Sequence, residues 1–307
     1  MSAGVQPAPA TFAPTESQIS MAYAVCRGIT RAAARNFYYA FLILPRPKRR
    51  ALCAVYAFMR RCDDIADDET LPIPERRQRL ADWLDGFHRA AADYPTDDPV
   101  LLALTHAQRR FQIPTALLDE LAQGTAMDLD VPATDELVAR YGTWEDLRLY
   151  CYKVASVVGL VCIRIFGYRD PAAESLAEKC GLAFQLTNIV RDVKEDALVG
   201  RVYLPQEDLD QFGVSAAELR IASDASRYAP LLALEADRAR EFYKSGDELI
   251  PLVDEDSQPA LWVLVNIYHA LLDKIADRRY DVFHGKVRLT MAKKLSILGQ
   301  GLLKRLA

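Results

Sequence analysis

The chain has 307 residues, 51% of them hydrophobic, and a formal net charge of −4 at pH 7. That is length for one or two domains around a large apolar core, and the acidic balance argues against nucleic acid as the main partner. Six cysteines without a CxxC pair and four histidines at no ligand spacing argue against a zinc site and a disulfide framework.

Residues 1–17 are Ala/Pro/Thr-rich, almost uncharged, and read as a disordered leader without the basic-then-apolar pattern of a signal peptide. From 18 to 307 apolar residues recur at helical spacing, with no useful strand alternation. Breakers at Pro45 and Pro47, Pro72 and Pro74, 94–99, Pro114, 131–134, Gly142, 170–171, 200–205, Pro230 and Pro251 mark the joints. About ten helical segments result, and one all-α domain over 18–307 is expected. No run reaches the ~18 apolar residues of a membrane span. The longest candidates, 154–166 and 260–272, carry Arg164, Asn266 and His269, so a soluble, cytoplasmic protein is expected.

The first helix, over 21–44, is dense in aromatics of the kind that fill a core, with Arg35 and Asn36 as polar exceptions able to bind phosphate if they face inward. The next, over 48–68, ends in Cys62-Asp63-Asp64-Ile65-Ala66-Asp67-Asp68. Residues three and four apart share a helix face, so Asp63 and Asp67 sit together and repel unless a cation neutralises them. Taken alone, this row also fits a solvated helix end. Asp128 and Asp130 read as a loop, and Thr143 as an N-cap. Tyr150, Val154 and Val158 share one face beside Gly159, leaving room for a close-packed helix or an apolar ligand. A second row follows: Gln185, Asn188, Asp192 and Asp196 project from one face over roughly 16 Å. Arg201 and Tyr203 come shortly after it.

Two oxygen-rich rows with Arg60, Arg61, Arg191 and Arg201 nearby suit Mg²⁺ bridging to a diphosphate, with metal and guanidinium sharing the anion's charge. The expected cavity lining is Phe37, Tyr38, Phe41, Tyr56, Tyr150, Val154, Val158 and Leu186. A charged mouth on an apolar tunnel describes a prenyl diphosphate site, in which diphosphate departs and aromatic faces stabilise the allylic cation.

The blocks Phe37-Tyr38-Tyr39-Ala40-Phe41, Tyr56-Ala57-Phe58 with Asp63-Asp64-Ile65-Ala66-Asp67, Tyr150-Cys151-Tyr152, Gln185-Leu186-Thr187-Asn188-Ile189-Val190-Arg191-Asp192 and Gly200-Arg201-Val202-Tyr203-Leu204-Pro205 resemble the squalene/phytoene synthase family. The resemblance, running from about residue 21 to 303, implies an all-α isoprenoid synthase fold around a central cavity. It implies head-to-head (1′-1) condensation of two prenyl diphosphates through a cyclopropylcarbinyl diphosphate. By the same resemblance Asp63, Asp67, Asn188, Asp192 and Asp196 bind Mg²⁺, with Mn²⁺ as an alternative. Arg60, Gln185, Arg191 and Tyr203 handle diphosphate or the second ionisation; Tyr56, Tyr150, Val154, Val158 and Gly159 line the prenyl pockets; Tyr268 and Lys286 touch diphosphate. Relatives often carry Ser-x-Ser-Phe where this chain has Ala34-Arg35-Asn36-Phe37, which leaves Asn36 as the one side-chain donor of that pair.

A head-to-tail elongase needs two DDxxD rows, and the second row here lacks that form; a silent assembly factor should have lost ligands. The favoured reading is two farnesyl diphosphates giving presqualene diphosphate or squalene, with two geranylgeranyl diphosphates giving phytoene as the alternative. NADPH is not expected, for want of a GxGxxG fingerprint. Partners are the C15 or C20 diphosphates and downstream pathway enzymes. The segment 286–307 carries six basic residues, no acid and an apolar face, which suits peripheral contact with anionic lipid at the inner membrane face.

Overall fold

The structure is a computed structural model that describes residues 14–33, 37–127, 129 and 136–306, with backbone only for 37, 305 and 306. The described residues form fourteen α-helices. In chain order these are α1 (Glu16–Ala33), α2 (Phe37–Phe41), α3 (Arg46–Ala66), α4 (Ile73–Ala91), α5 (Pro99–Phe111), α6 (Thr115–Met127) and α7 (Trp144–Cys151). There follow α8 (Val157–Phe166), α9 (Ala172–Leu198), α10 (Gln206–Gln211), α11 (Ala216–Ile221), α12 (Ala225–Leu249), α13 (Gln258–Asp277) and α14 (Met291–Leu306). The one strand-like feature among them is an isolated bridge between Tyr168 and Val253.

Helix α9 is the spine: α8 and α12 pack along it, while α1 and α5 hold α3 from the other side. Both long helices present apolar residues to one continuous core, Leu52, Val55, Phe58 and Cys62 from α3 and Leu186, Ile189, Val190 and Val193 from α9. Their polar rows are thereby turned away from the core and towards each other's ends.

Several boundaries differ from expectation. Thr15 and Gln18 exchange side-chain-to-backbone hydrogen bonds at 2.9 and 3.3 Å, so α1 starts at Glu16, inside the segment read as leader. The helix expected over 21–44 is two helices, α1 and α2. The helix expected at 48–68 starts at Arg46, because Pro47 occupies the first turn, where its missing N–H costs nothing. Pro230 does not break the chain. It lies in the second turn of α12, where it removes a single hydrogen bond from a helix capped by Asp224 and packed along α9. The apolar run expected at 154–166 belongs to a continuous helical stretch over Trp144–Phe166, with a mean hydropathy of 1.7 in its most apolar window. It is long and apolar enough to cross a membrane, but its packing partners are α6 and α9. Thr143 caps it as expected, in a capping box with Asp146.

Candidate active site

The last turn of α3 carries the first acidic row. Asp67 closes the helix, its N–H donating to the Asp63 carbonyl at 2.8 Å. Asp63 Oδ1 accepts from Thr125 Oγ1 of α6 at 3.2 Å. Asp64 turns instead along its own helix to Arg60, at 2.6 Å. Asp64 and Asp68 share an outer groove with Arg61 and Arg79, so Arg61 stands on that outer side, not among the cations expected at the site.

The second row runs along α9. Gln185 and Asn188 reach the central cavity, and the Asn188 side chain hydrogen-bonds the Tyr268 hydroxyl. One turn on, Asp192 is held by two cations: Arg191 Nε donates to Oδ1 at 2.8 Å, and Lys286 Nζ lies 2.6 Å from the same oxygen. Burial pushes the Asp192 carboxyl up, but those two cations more than offset it and hold it below the usual range. Asp196 has no such pair. Burial, reinforced by the Asp192 charge, pushes it up to about 7.

The loop after α9 joins the rows. Gly200, at φ +80°, lets the chain turn back so that the Arg201 N–H donates to the Asp196 carbonyl at 2.8 Å. The Arg201 side chain crosses to α3, Nη2 donating to Asp67 Oδ1 at 2.8 Å. Tyr203 is buried in a stack with Tyr150 (5.1 Å between centroids) and Tyr141 (6.5 Å), with the Arg140 guanidinium 5.7 Å from its ring. Tyr141 and Arg140 had no sequence signal; they lie on the segment before α7, away from both rows in sequence.

Between the rows and the core lies an apolar cavity of about 220 Å³. Its wall is Leu52, Val55, Tyr56 and Met59 of α3; Phe41 of α2; Val154, Val158, Gly159, Cys162, Ile163 and Phe166 across the 144–166 stretch; and Ala177, Cys180, Gly181 and Phe184 of α9. Leu249, Leu261, Leu264 and Tyr268 complete it from α12 and α13. The polar lining atoms come from Tyr56, Gln185, Asn188 and Tyr268, at the level of the rows. Burial pushes the phenols of Tyr56 and Tyr268 up, the latter to about 12, so both stay protonated donors. Burial also pushes Cys162 and Cys180 up to about 12, leaving neutral thiols that behave as apolar wall.

Of the expected lining, Phe41, Tyr56, Val154 and Val158 are in place. Tyr150 is not: its ring is taken by Tyr141 and Tyr203. Leu186 is fully packed in the core, and Tyr38 is not among the described lining residues. Arg35 and Asn36 lie outside the described residues, as do Asp128 and Asp130, and Phe37 is described by its backbone alone. Gly159 answers both readings offered for it. A Cβ there would lie 2.6 Å from the Ala177 carbonyl oxygen, so α8 and α9 touch through it, and the same residue faces the cavity.

Among the described residues no three carboxylates, histidines or cysteines converge into a ready-made ion cage. The donors are nonetheless all hard oxygens on two rows, and the half-buried Asp196, one turn from Asp192, is held above the usual carboxylate range by burial and by that neighbouring charge, against the opposing charges of Arg201 and Lys286. That chemistry fits a hard cation bringing phosphate oxygens as its remaining ligands. The cations Arg191, Arg201 and Lys286 stand ready for the anion.

The chain matches the family described as Squalene/phytoene synthase over residues 30–293. It is 38% identical over 293 residues to the phytoene synthase of Mycobacterium tuberculosis, covering 93% of this chain and 92% of that protein. It is 33% identical to the presqualene diphosphate synthase of Rhodopseudomonas palustris, covering 88% and 93%. The fold superposes on a crystal structure of a dehydrosqualene synthase in complex with ligand at a TM-score of 0.83, with 30% identity and coverage of 94% and 97%.

Proposed function

The chain belongs to the squalene/phytoene synthase family, a prenyltransferase family with the all-helical isoprenoid synthase fold that joins prenyl diphosphates head to head, and we propose that this member condenses two geranylgeranyl diphosphates to phytoene. The observation that carries the choice is the 38% identity to a phytoene synthase over nearly the whole of both chains. It reverses the order read from the sequence, where farnesyl diphosphate came first. The farnesyl reading, with presqualene diphosphate as product, stays second on the 33% identity to a presqualene diphosphate synthase.

Asp63 and Asp67 on α3, with Asn188, Asp192 and Asp196 on α9, would hold Mg²⁺ together with diphosphate oxygens. The cation supplies charge neutralisation of the departing diphosphate. Arg191, Lys286 and Arg201, now engaged with Asp192 and Asp67, bind the same anion and free those carboxylates as they turn to it. The prenyl chain lies in the apolar cavity, where Tyr56, Phe184 and Tyr268 present ring faces to the allylic cation and water is excluded. Tyr203, clamped by Tyr150 and Tyr141, holds its hydroxyl rigidly for the second ionisation. Phytoene formation ends in proton loss, so no NADPH is needed.

The test is incubation of purified protein with Mg²⁺ and either farnesyl or geranylgeranyl diphosphate, with and without NADPH, the lipid being identified by mass. Phytoene from the C20 substrate, independent of NADPH, is expected. A higher kcat/KM on farnesyl diphosphate, giving a C30 product, would overturn the assignment in favour of the second reading.

A further inference from the structure

Helix α14 is apolar on two sides. Its inner side is Ile297, Leu298 and Gly301, the last so close to α13 that a Cβ would meet Val263 at 2.3 Å. Its outer side is also apolar: Met291, Leu295 and Leu302 fall within an arc of about 40° at helical spacing and are 55%, 52% and 43% exposed, with Leu303 beside them at 67%. A helix docked on a domain needs only the first face. By helical spacing Lys294 borders the second, while Lys293 and Lys304 fall towards the opposite side, the Lys304 ammonium 5.1 Å from the centre of the Trp262 ring; the whole segment 286–307 has no acidic residue in a chain of net charge −4.

The outer face does not stand alone. The Tyr39 hydroxyl reaches the Met291 sulfur at 3.6 Å, and Ile43 comes within 3.5 Å of where a Gly301 Cβ would be. Between them, Leu42 is 41% exposed, and its carbonyl accepts from the basic Arg49 at 3.3 Å. Exposed apolar surface therefore continues from α14 onto α2 with a basic rim. The neighbouring residue of α2, Phe41, points the other way and walls the cavity.

We propose that the face formed by α14 and Leu42 docks on the surface of an anionic lipid bilayer, with its leucines in the interface and its lysines against the headgroups. This sets α2, the thin wall between cavity and surface, against the lipid; that it serves delivery of a water-insoluble hydrocarbon rests on the function proposed above, while the docking does not. In a two-fold dimer the same acid-free, basic face would meet itself, like charge against like, so charge favours an anionic membrane over a second copy paired through this face.

The experiment is co-sedimentation of the full chain, without substrate, with vesicles of equal parts phosphatidylcholine and phosphatidylglycerol, and with phosphatidylcholine alone. Binding is expected on the anionic vesicles, falling with salt, and about tenfold or more weaker for the double variant Leu295→Glu, Leu302→Glu. The variant should keep its Tm and its turnover of detergent-dispersed substrate, because neither leucine touches the cavity. Failure of the wild type to sediment, or equal binding by the variant, overturns the proposal. So does a wild-type dimer that the variant dissociates in light scattering, which would make the face a self-interface. Vesicle binding is read without catalysis, so its outcome is independent of which prenyl chain the site takes.

Discussion

Asp67 contributes one ion pair to the folded state, with Arg201 at 2.8 Å, and its side chain is 55% exposed. Such pairs are worth about 0–1 kcal/mol. Asp67→Ala is therefore expected to leave Tm nearly unchanged while turnover falls on the order of a hundredfold or more, since on the proposed function the row would lose a cation ligand. Parallel melting curves and steady-state rates check this; a large drop in Tm would mean the residue is structural. Glu235 is the opposite kind of acid. It is buried on α12, shares Arg238 (2.8 Å) with Asp208, and its second oxygen has no hydrogen-bond partner. Burial, reinforced by the neighbouring Asp208 carboxylate and only partly opposed by Arg238, raises its pKa from the usual 4.5 to about 8. The native state then holds a proton that the unfolded chain releases between those values. The contribution to stability is full below about pH 4.5 and is lost as pH rises through about 8. Glu235→Gln should flatten the fall in Tm between about pH 4.5 and 8, and an unchanged slope there would place the effect on another group.

The elements place the cavity through close backbone approach. The helix over Trp144–Phe166 contains a π-helical turn, Tyr152–Ser156, and a Cβ on Gly181 of α9 would lie 2.6 Å from the Ala155 carbonyl oxygen and 2.7 Å from the Ser156 Cα. Those are backbone atoms with nowhere to move. Gly181→Ala should cost about 1–3 kcal/mol and narrow the cavity beside Val154 and Ala155; chemical denaturation measures the first and the product size distribution the second. At the cavity's far end Lys48 of α3 donates to the Phe166 carbonyl at 2.7 Å and to Ser257 Oγ at 3.0 Å, and pairs with Asp254 and Asp256. It ties α3, α8 and α13 around Phe166. Lys48→Met, which keeps the stem and removes the charge, should destabilise by about 1–3 kcal/mol through the acceptors left unpaired. Much of this level was legible in the sequence where period alone decides: both oxygen-rich rows fall on single helical faces. It was not legible where packing decides. Nothing local distinguishes Tyr150, taken by a ring stack, from Val154, which reaches the cavity. The π-helical turn, the tolerance of Pro230 and the cavity residues from α12 and α13 likewise depend on neighbours remote in the chain.

At the scale of the whole molecule, the mouth is neutralised from within by pairs that join separate parts of the fold. Arg201 links the loop after α9 to α3, and Lys286 links the segment between α13 and α14 to α9. On the function proposed above, a diphosphate would compete for both cations and a divalent ion for both carboxylates, so neither ligand alone would gain what the two gain together. Mg²⁺ or inorganic diphosphate added singly should shift Tm little, because each leaves the other partner's charge uncompensated. Added together at about a hundred times their joint dissociation constant, they should stabilise by about 2.7 kcal/mol, on the order of 5 °C. Lys286→Ala should diminish that joint shift without touching the cavity, and Asp192→Asn should diminish it from the carboxylate side. An equal shift with Mg²⁺ alone would show an ion site complete without the anion. It would also separate the carboxylate rows from the cations that now bridge them.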